Sequence, residues 1–153
     1  MRQEYRWCLL LFVGCVMIST TSAETPLPLT AKAWRTERLE VFPELKRLPE
    51  WSPSLSVFAL AHAQDLIRRG VISHRDAQGR DVAQRAGEAG LPPGEYGEVV
   101  GAGPLWQKIW QAWRNSPEHR ELLLEARWQA WGGAVVRDGN VLVCVIDEYR
   151  SHK

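Results

Sequence analysis

The sequence predicts an α+β domain, and three observations carry the prediction. Apolar residues recur at three- and four-residue steps in several segments between Trp34 and Arg127, the period of helices with one buried face. Asp138-Gly139-Asn140 is a strong hairpin turn near the end of the chain. The run that follows it, Val141-Leu142-Val143-Cys144-Val145-Ile146, is continuously apolar, as in a strand buried on both faces. Helices first and strands last suggests a layered domain, and 153 residues suffice for one such domain with a real core.

The chain opens on a targeting pattern. Arg2 and Arg6 precede an apolar run from Trp7 to Ile18, shorter than the roughly 20 residues a membrane span needs. Thr21-Ser22-Ala23 then offers a cleavage site before Glu24, so residues 1–23 read as a signal peptide. Two alternatives stand beside it: lipoprotein processing at Cys15, after Val13-Gly14, and a retained signal anchor. Loss of 1–23 removes Arg2, Arg6 and Glu4 and leaves acidic and basic side chains equal in number. Formal neutrality argues against a nucleic-acid partner, which needs a basic face to meet phosphates. Cys144 is then the one cysteine left beyond the signal, so no internal disulfide forms; in an apolar strand it reads as a buried, inert thiol.

Taken in order, 24–30 contains Pro26 and Pro28 and reads as an arm, with the domain proper over 36–150. Residues 31–48 carry Trp34, Leu39, Phe42, Leu45 and Leu48 on one helical face, and Pro43 should end or kink that helix. A turn at 49–53 leads to a clearer helix, capped by Ser52 or Ser54, that runs to Arg69 before Gly70. His62 lies on or beside its apolar face, as a hydrogen-bonded core histidine or a cleft residue. Ser73-His74 enters a polar turn, and a short helix follows over 81–89 with Val82, Arg85 and Ala86 on one side. The glycine- and proline-rich stretch 90–104 reads as a long loop, and loops of that length are often functional. A helix over 105–114 presents Trp106, Ile109, Trp110 and Trp113 as a stripe. Ser116 then reads as an N-cap, Pro117 as the first helical position and Glu118 as a first-turn acid, with a helix to about 127. Strands at 128–137 and 141–146 close the chain.

Four phrases stand in an order that resembles the bacterial branch of the CAP superfamily, the cysteine-rich secretory, antigen and pathogenesis-related proteins. They are Ala59-Leu60-Ala61-His62-Ala63-Gln64-Asp65-Leu66, Ser73-His74, Gly97-Glu98, and Trp113-Arg114-Asn115-Ser116-Pro117-Glu118-His119-Arg120. The resemblance covers about 36–147. It implies a three-layer α-β-α sandwich with a central, mainly antiparallel sheet and an extracytoplasmic location. It also implies a cleft of two histidines and acidic residues. By motif, His74 is similar to the first histidine, Glu98 to the first acid and His119 to the second histidine. The chain departs from the pattern at Ser116, which stands where a second acid would be. Val99 replaces the usual asparagine and Glu118 the usual glycine. Glu118 either enters the cleft or faces solvent and favours the helix dipole.

Two histidines and a glutamate can bind a divalent metal such as zinc, with His74 and His119 as ligands, or do acid–base work. His119 near a helix N-terminus should be biased toward its neutral form. A structural role, locking loops to the sheet, is the third possibility for the trio. No closely spaced ligand pair such as His-x-x-x-His and no Gly-x-Ser-x-Gly nucleophile phrase occurs. The resemblance therefore implies a secreted or surface-anchored binding domain. Its expected cleft of His74, Glu98, His119, Glu118 and Ser116 would, as the resemblance implies, take a small apolar or amphipathic ligand or an envelope or host component. A metal-dependent hydrolase of envelope polymer or peptide and a structural envelope protein are the alternatives. Membrane attachment is expected only through lipid at Cys15.

Overall fold

The expected C-terminal hairpin is the middle of the sheet. β4 (Ala130–Asp138) and β5 (Val141–Arg150) pair antiparallel from Ala130↔Tyr149 to Asp138↔Val141, and Gly139 makes the turn at φ 56°. The computed structural model describes residues 24–27 and 29–152, so the targeting segment and Cys15 lie outside the described residues. β3 (Glu95–Gly103) pairs antiparallel with β5 and forms one edge. On β4's other side lie β1 (Thr25–Pro26), antiparallel, and β2 (Glu50–Trp51), parallel.

Helices cover both faces. α2 (Pro53–Arg69) and α3 (Val82–Glu88) lie on one, packing Ala59, Ala63 and Leu66 on Val100, Ala134, Val136, Val143 and Val145. α1 (Ala31–Val41), α4 (Trp106–Asn115) and α5 (Pro117–Leu124) lie on the other. There Trp34, Phe42, Trp110, Trp113 and Leu123 meet Val99, Trp131, Val135, Cys144 and Ile146. Strand alternation sends successive residues to opposite layers, which makes this an α-β-α sandwich around a mainly antiparallel sheet.

Local signals work as their chemistry dictates. Ser52 Oγ accepts from Leu55 N at 3.2 Å to start α2, and Gly70 closes it at φ 62°. Asp81 and Gln84 form a capping box for α3. Cys144 is buried, as expected.

Four expectations change. Residues 24–30 are not a free arm: β1 pairs with β4, and Leu27 N donates to the Val135 carbonyl at 2.9 Å. The helix expected over 31–48 ends at Val41, because the Pro43 ring has no N–H to continue it. The long loop at 90–104 is mostly β3. Its glycines are there for packing: a Cβ on Gly97 would lie 2.7 Å from the Trp128 ring, and one on Gly101 2.6 Å from Ile109. α5 also stops short of 127, where Glu125 bends the chain by accepting from Arg127 N at 2.9 Å.

Candidate functional site

The site is built on the edge strand. Gly97, Val99 and Gly101 face the α4–α5 layer, so alternation turns Glu98 toward α2 and α3. Its carboxylate is almost fully buried and carries a full set of partners. Oε1 accepts from His74 Nδ1 at 2.9 Å. Oε2 accepts from Arg85 Nη2 in a very short ion pair, and His62 Nε2 lies 3.8 Å from the same oxygen. Burial works to raise the Glu98 pKa, but the His74 hydrogen bond and the Arg85 and His62 charges outweigh it and hold it lowered.

His74 is held by its loop while its side chain stays 57% exposed. His62 Nε2 donates to the Ser73 carbonyl at 3.0 Å, pinning the residue before His74 to α2. Beyond it, Asp76 Oδ1 accepts from the backbone N–H groups of Gln78 and Arg80, and Oδ2 from Arg80 Nε at 2.7 Å. Arg69 Nη2 donates to the Arg75 carbonyl at 2.8 Å. His62 is thus a hydrogen-bonded, buried residue that also belongs to the Glu98 surroundings. Its pKa is lowered, first by burial and then by Arg85, with Glu98 opposing.

His119 comes from the other layer. α5 packs on β3, and His119 Nδ1 bonds Ser116 Oγ at 2.7 Å. Ser116 is the N-cap by position, but its hydroxyl makes no cap hydrogen bond to the helix backbone. The pKa of His119 is lowered chiefly by burial, then by the charge of His74, with Glu118 opposing. The direction matches the expectation of a neutral imidazole; its cause is desolvation and a second histidine rather than the helix terminus.

Of the expected cleft residues, His74 and Glu98 are in contact, and His119 feels His74 across the β3 edge. Ser116 belongs through His119. Glu118 does not turn toward Glu98. It is exposed and lines a separate groove of about 280 Å³ with Glu121, Leu122, Glu125 and Trp128. Sequence reasoning missed Arg85 and Asp147. Arg85 sits between Val82 and Ala86 on the buried side of α3, with its guanidinium 5.1 Å from the Phe58 ring. A long cation in that apolar stripe was the legible signal. Asp147 is fully buried on β5, directly opposite Glu98.

The residues do not fit the expected metal centre. Among the described residues no group of three or more His, Cys, Asp or Glu side chains is arranged to hold an ion. Both Glu98 oxygens are engaged, one by a guanidinium, which removes the carboxylate donor that a His-His-Glu set requires. What the arrangement leaves open is one ring nitrogen on each cleft histidine. His74 and His119 both spend Nδ1 on a protein partner, and neither Nε2 has a hydrogen-bond partner among the described residues. Against the ionised Glu98, His74 Nδ1 carries the hydrogen, and its Nε2 is left facing outward. Cys144 offers no nucleophile, since burial pushes its thiol pKa up.

Comparison with known proteins agrees with this architecture. Residues 42–147 match the profile of "CAP: Cysteine-rich secretory protein family". No curated protein sequence matches the chain significantly. An outer surface protein from Borrelia burgdorferi superposes with a TM-score of 0.72 at 20% identity, over 84% of this chain and 99% of that one. An extracellular protein containing an SCP domain from Bacillus anthracis gives 0.59 at 20% identity, over 81% of this chain and 45% of that one. A cysteine-rich secretory protein from Staphylococcus aureus gives 0.55 at 14%, over 75% and 38%. At these identities the likeness is one of fold.

Proposed function

The chain belongs to the CAP, or cysteine-rich secretory protein, family, and we propose that it is an extracytoplasmic domain that binds a small amphipathic ligand at the two imidazoles of the β3 edge. One observation carries this reading: two histidines, one from each helical layer, each anchor Nδ1 to the protein and keep Nε2 for something else. His74 is exposed and His119 half-buried, so the pair has a wet end and a drier one. Imidazole nitrogens there suit the hydroxyl, amide or other polar group of a ligand. The location is supported by the signal pattern at 1–23, and by similar structures described as an outer surface protein and an extracellular protein.

Binding is favoured over hydrolysis by the chemistry of the donors. Glu98 is neutralised by Arg85 and committed to His74, so it is poorly placed to activate water. The test is an NMR titration of the imidazole nitrogens with dispersed sterols and fatty acids. Ligand-dependent shifts at His74 and His119 in wild type, with weakened ligand retention by the folded His74→Ala/His119→Ala protein, are the expected result. Undiminished binding by that variant would place the ligand elsewhere.

A further inference from the structure

We propose that Asp147 is the positioning residue of this cleft: an un-ionised acid at neutral pH whose proton joins its carboxyl to that of Glu98 and so holds Glu98 against His74 Nδ1. The proposal rests on His74 being the ligand-facing group described above.

The register makes the contact. Glu98 and Asp147 are direct Cα partners in the antiparallel β3–β5 pair, so both side chains rise on the α2 face, side by side. Asp147 is 0% exposed, and among the described residues neither of its oxygens has a partner that brings a hydrogen. The groups that face it are few. Glu98 and Tyr96 come from β3, Arg85 from α3, and Glu148 is the next residue on its own strand. His62 of α2 stands beyond Glu98. β4 contributes Gly132, whose place for a Cβ is taken by the α2 backbone at Leu55 and Ser56. None of these donates to Asp147: Arg85 Nε has no partner, yet makes no bond to either Asp147 oxygen. The Tyr96 hydroxyl donates to the Pro92 carbonyl at 2.6 Å. Glu148 faces the other layer, where it pairs with Arg38 at 2.6 Å.

Charge balance then decides the protonation. Among the described residues Arg85 is the single cation facing the pair, and its Nη2 is spent on Glu98. A second buried carboxylate beside the first would stand uncompensated, whereas a proton removes that charge and supplies the missing hydrogen bond. Burial and the neighbouring Glu98 charge act in the same direction, raising the Asp147 pKa well above the usual range. Glu98 then receives three hydrogens, from His74, Arg85 and Asp147. Its rotamer is fixed, and with it the orientation of the His74 ring, Nδ1–H toward Glu98.

Two measurements test this, neither of which involves ligand. Infrared difference spectra of wild type against Asp147→Asn at neutral pH should show the carbonyl stretch of an un-ionised carboxylic acid in wild type only. Glu148 is present in both proteins and cancels. Absence of that band overturns the proton assignment. Imidazole nitrogen shifts of His74 should report one tautomer, Nδ1–H, in wild type and in Asp147→Asn, whose amide can donate in place of the proton. Asp147→Val should give a mixture. A His74 signal unchanged in a folded Asp147→Val overturns the positioning role. Should Asp147→Val not fold, the infrared band decides. A failed sterol or fatty-acid titration would overturn the ligand reading and leave both results standing.

Discussion

Arg85 shows how much rests on single buried charges. It was unremarked as a functional residue in the sequence, yet it is the cation that lets Glu98 stay ionised inside the domain. Arg85→Met should strand that carboxylate and lower stability by about 3–5 kcal/mol in denaturant unfolding. A loss under about 1 kcal/mol would show that water reaches Glu98 and does the same work. Glu148 makes a pH prediction. Its ordinary value is 4.5, and burial pushes it up to about 7 against the pull of Arg38. The folded chain keeps a proton that the unfolded chain releases in that window. The stability this gives is therefore fully present below about pH 4.5 and is lost as pH rises through about 7. Glu148→Gln carries no such proton. Its unfolding free energy should gain on wild type as pH rises across that interval, and a pH-independent gap would contradict the assignment.

Among the elements, β3 and β4 are defined by what their glycines allow. At Gly132 the α2 backbone lies so close that a Cβ would strike Ser56 N and Leu55 C, which no rotamer can relieve. Gly132→Ala should cost about 1–3 kcal/mol by pushing α2 off the sheet. Gly87 is the control. It lies in α3 with nothing within 4 Å of an added Cβ and an ordinary helical φ. Gly87→Ala should be neutral or stabilising by up to about 1 kcal/mol, from helix propensity alone. Thermal melts of the two variants against wild type separate a packing glycine from a merely permitted one.

Across the molecule, the tryptophans join the layers. Trp34 of α1 lies 4.5 Å from Trp106, 6.1 Å from Trp110 and 6.4 Å from Trp131, centroid to centroid, linking α1 and α4 to β4. Gly133 makes room for it, since a Cβ there would sit 2.8 Å from the Trp34 ring. Arg38, one turn further along α1, lies 4.6 Å from the Trp131 ring and donates to the Leu123 carbonyl at 2.7 Å. Trp34→Ala should cost about 3–5 kcal/mol and shift the tryptophan emission toward that of solvated indole. Within the Trp106–Trp113 stripe, Trp110 and Trp113 are buried in the core and Trp106 is only partly so.

What the sequence determined by itself was whatever is encoded within a few residues. The Ser52 and Gly70 boundaries of α2, the Asp138–Asn140 hairpin, the buried Cys144 strand and the helical faces are all set by capping, turn geometry and period. The candidacy of His74, Glu98 and His119 came from phrases of the same short range. Tertiary structure decided the rest. Gly97 and Gly101 read as loop because the rings and side chains that require them come from α4, α5 and Trp128. Glu98 found Arg85 on a helix 13 residues earlier and Asp147 on a strand far along the chain. Those partners set its charge and occupied both its oxygens. Electrostatics in a buried site depends on which groups the fold brings within a few ångströms, and no local pattern in the chain carries that information.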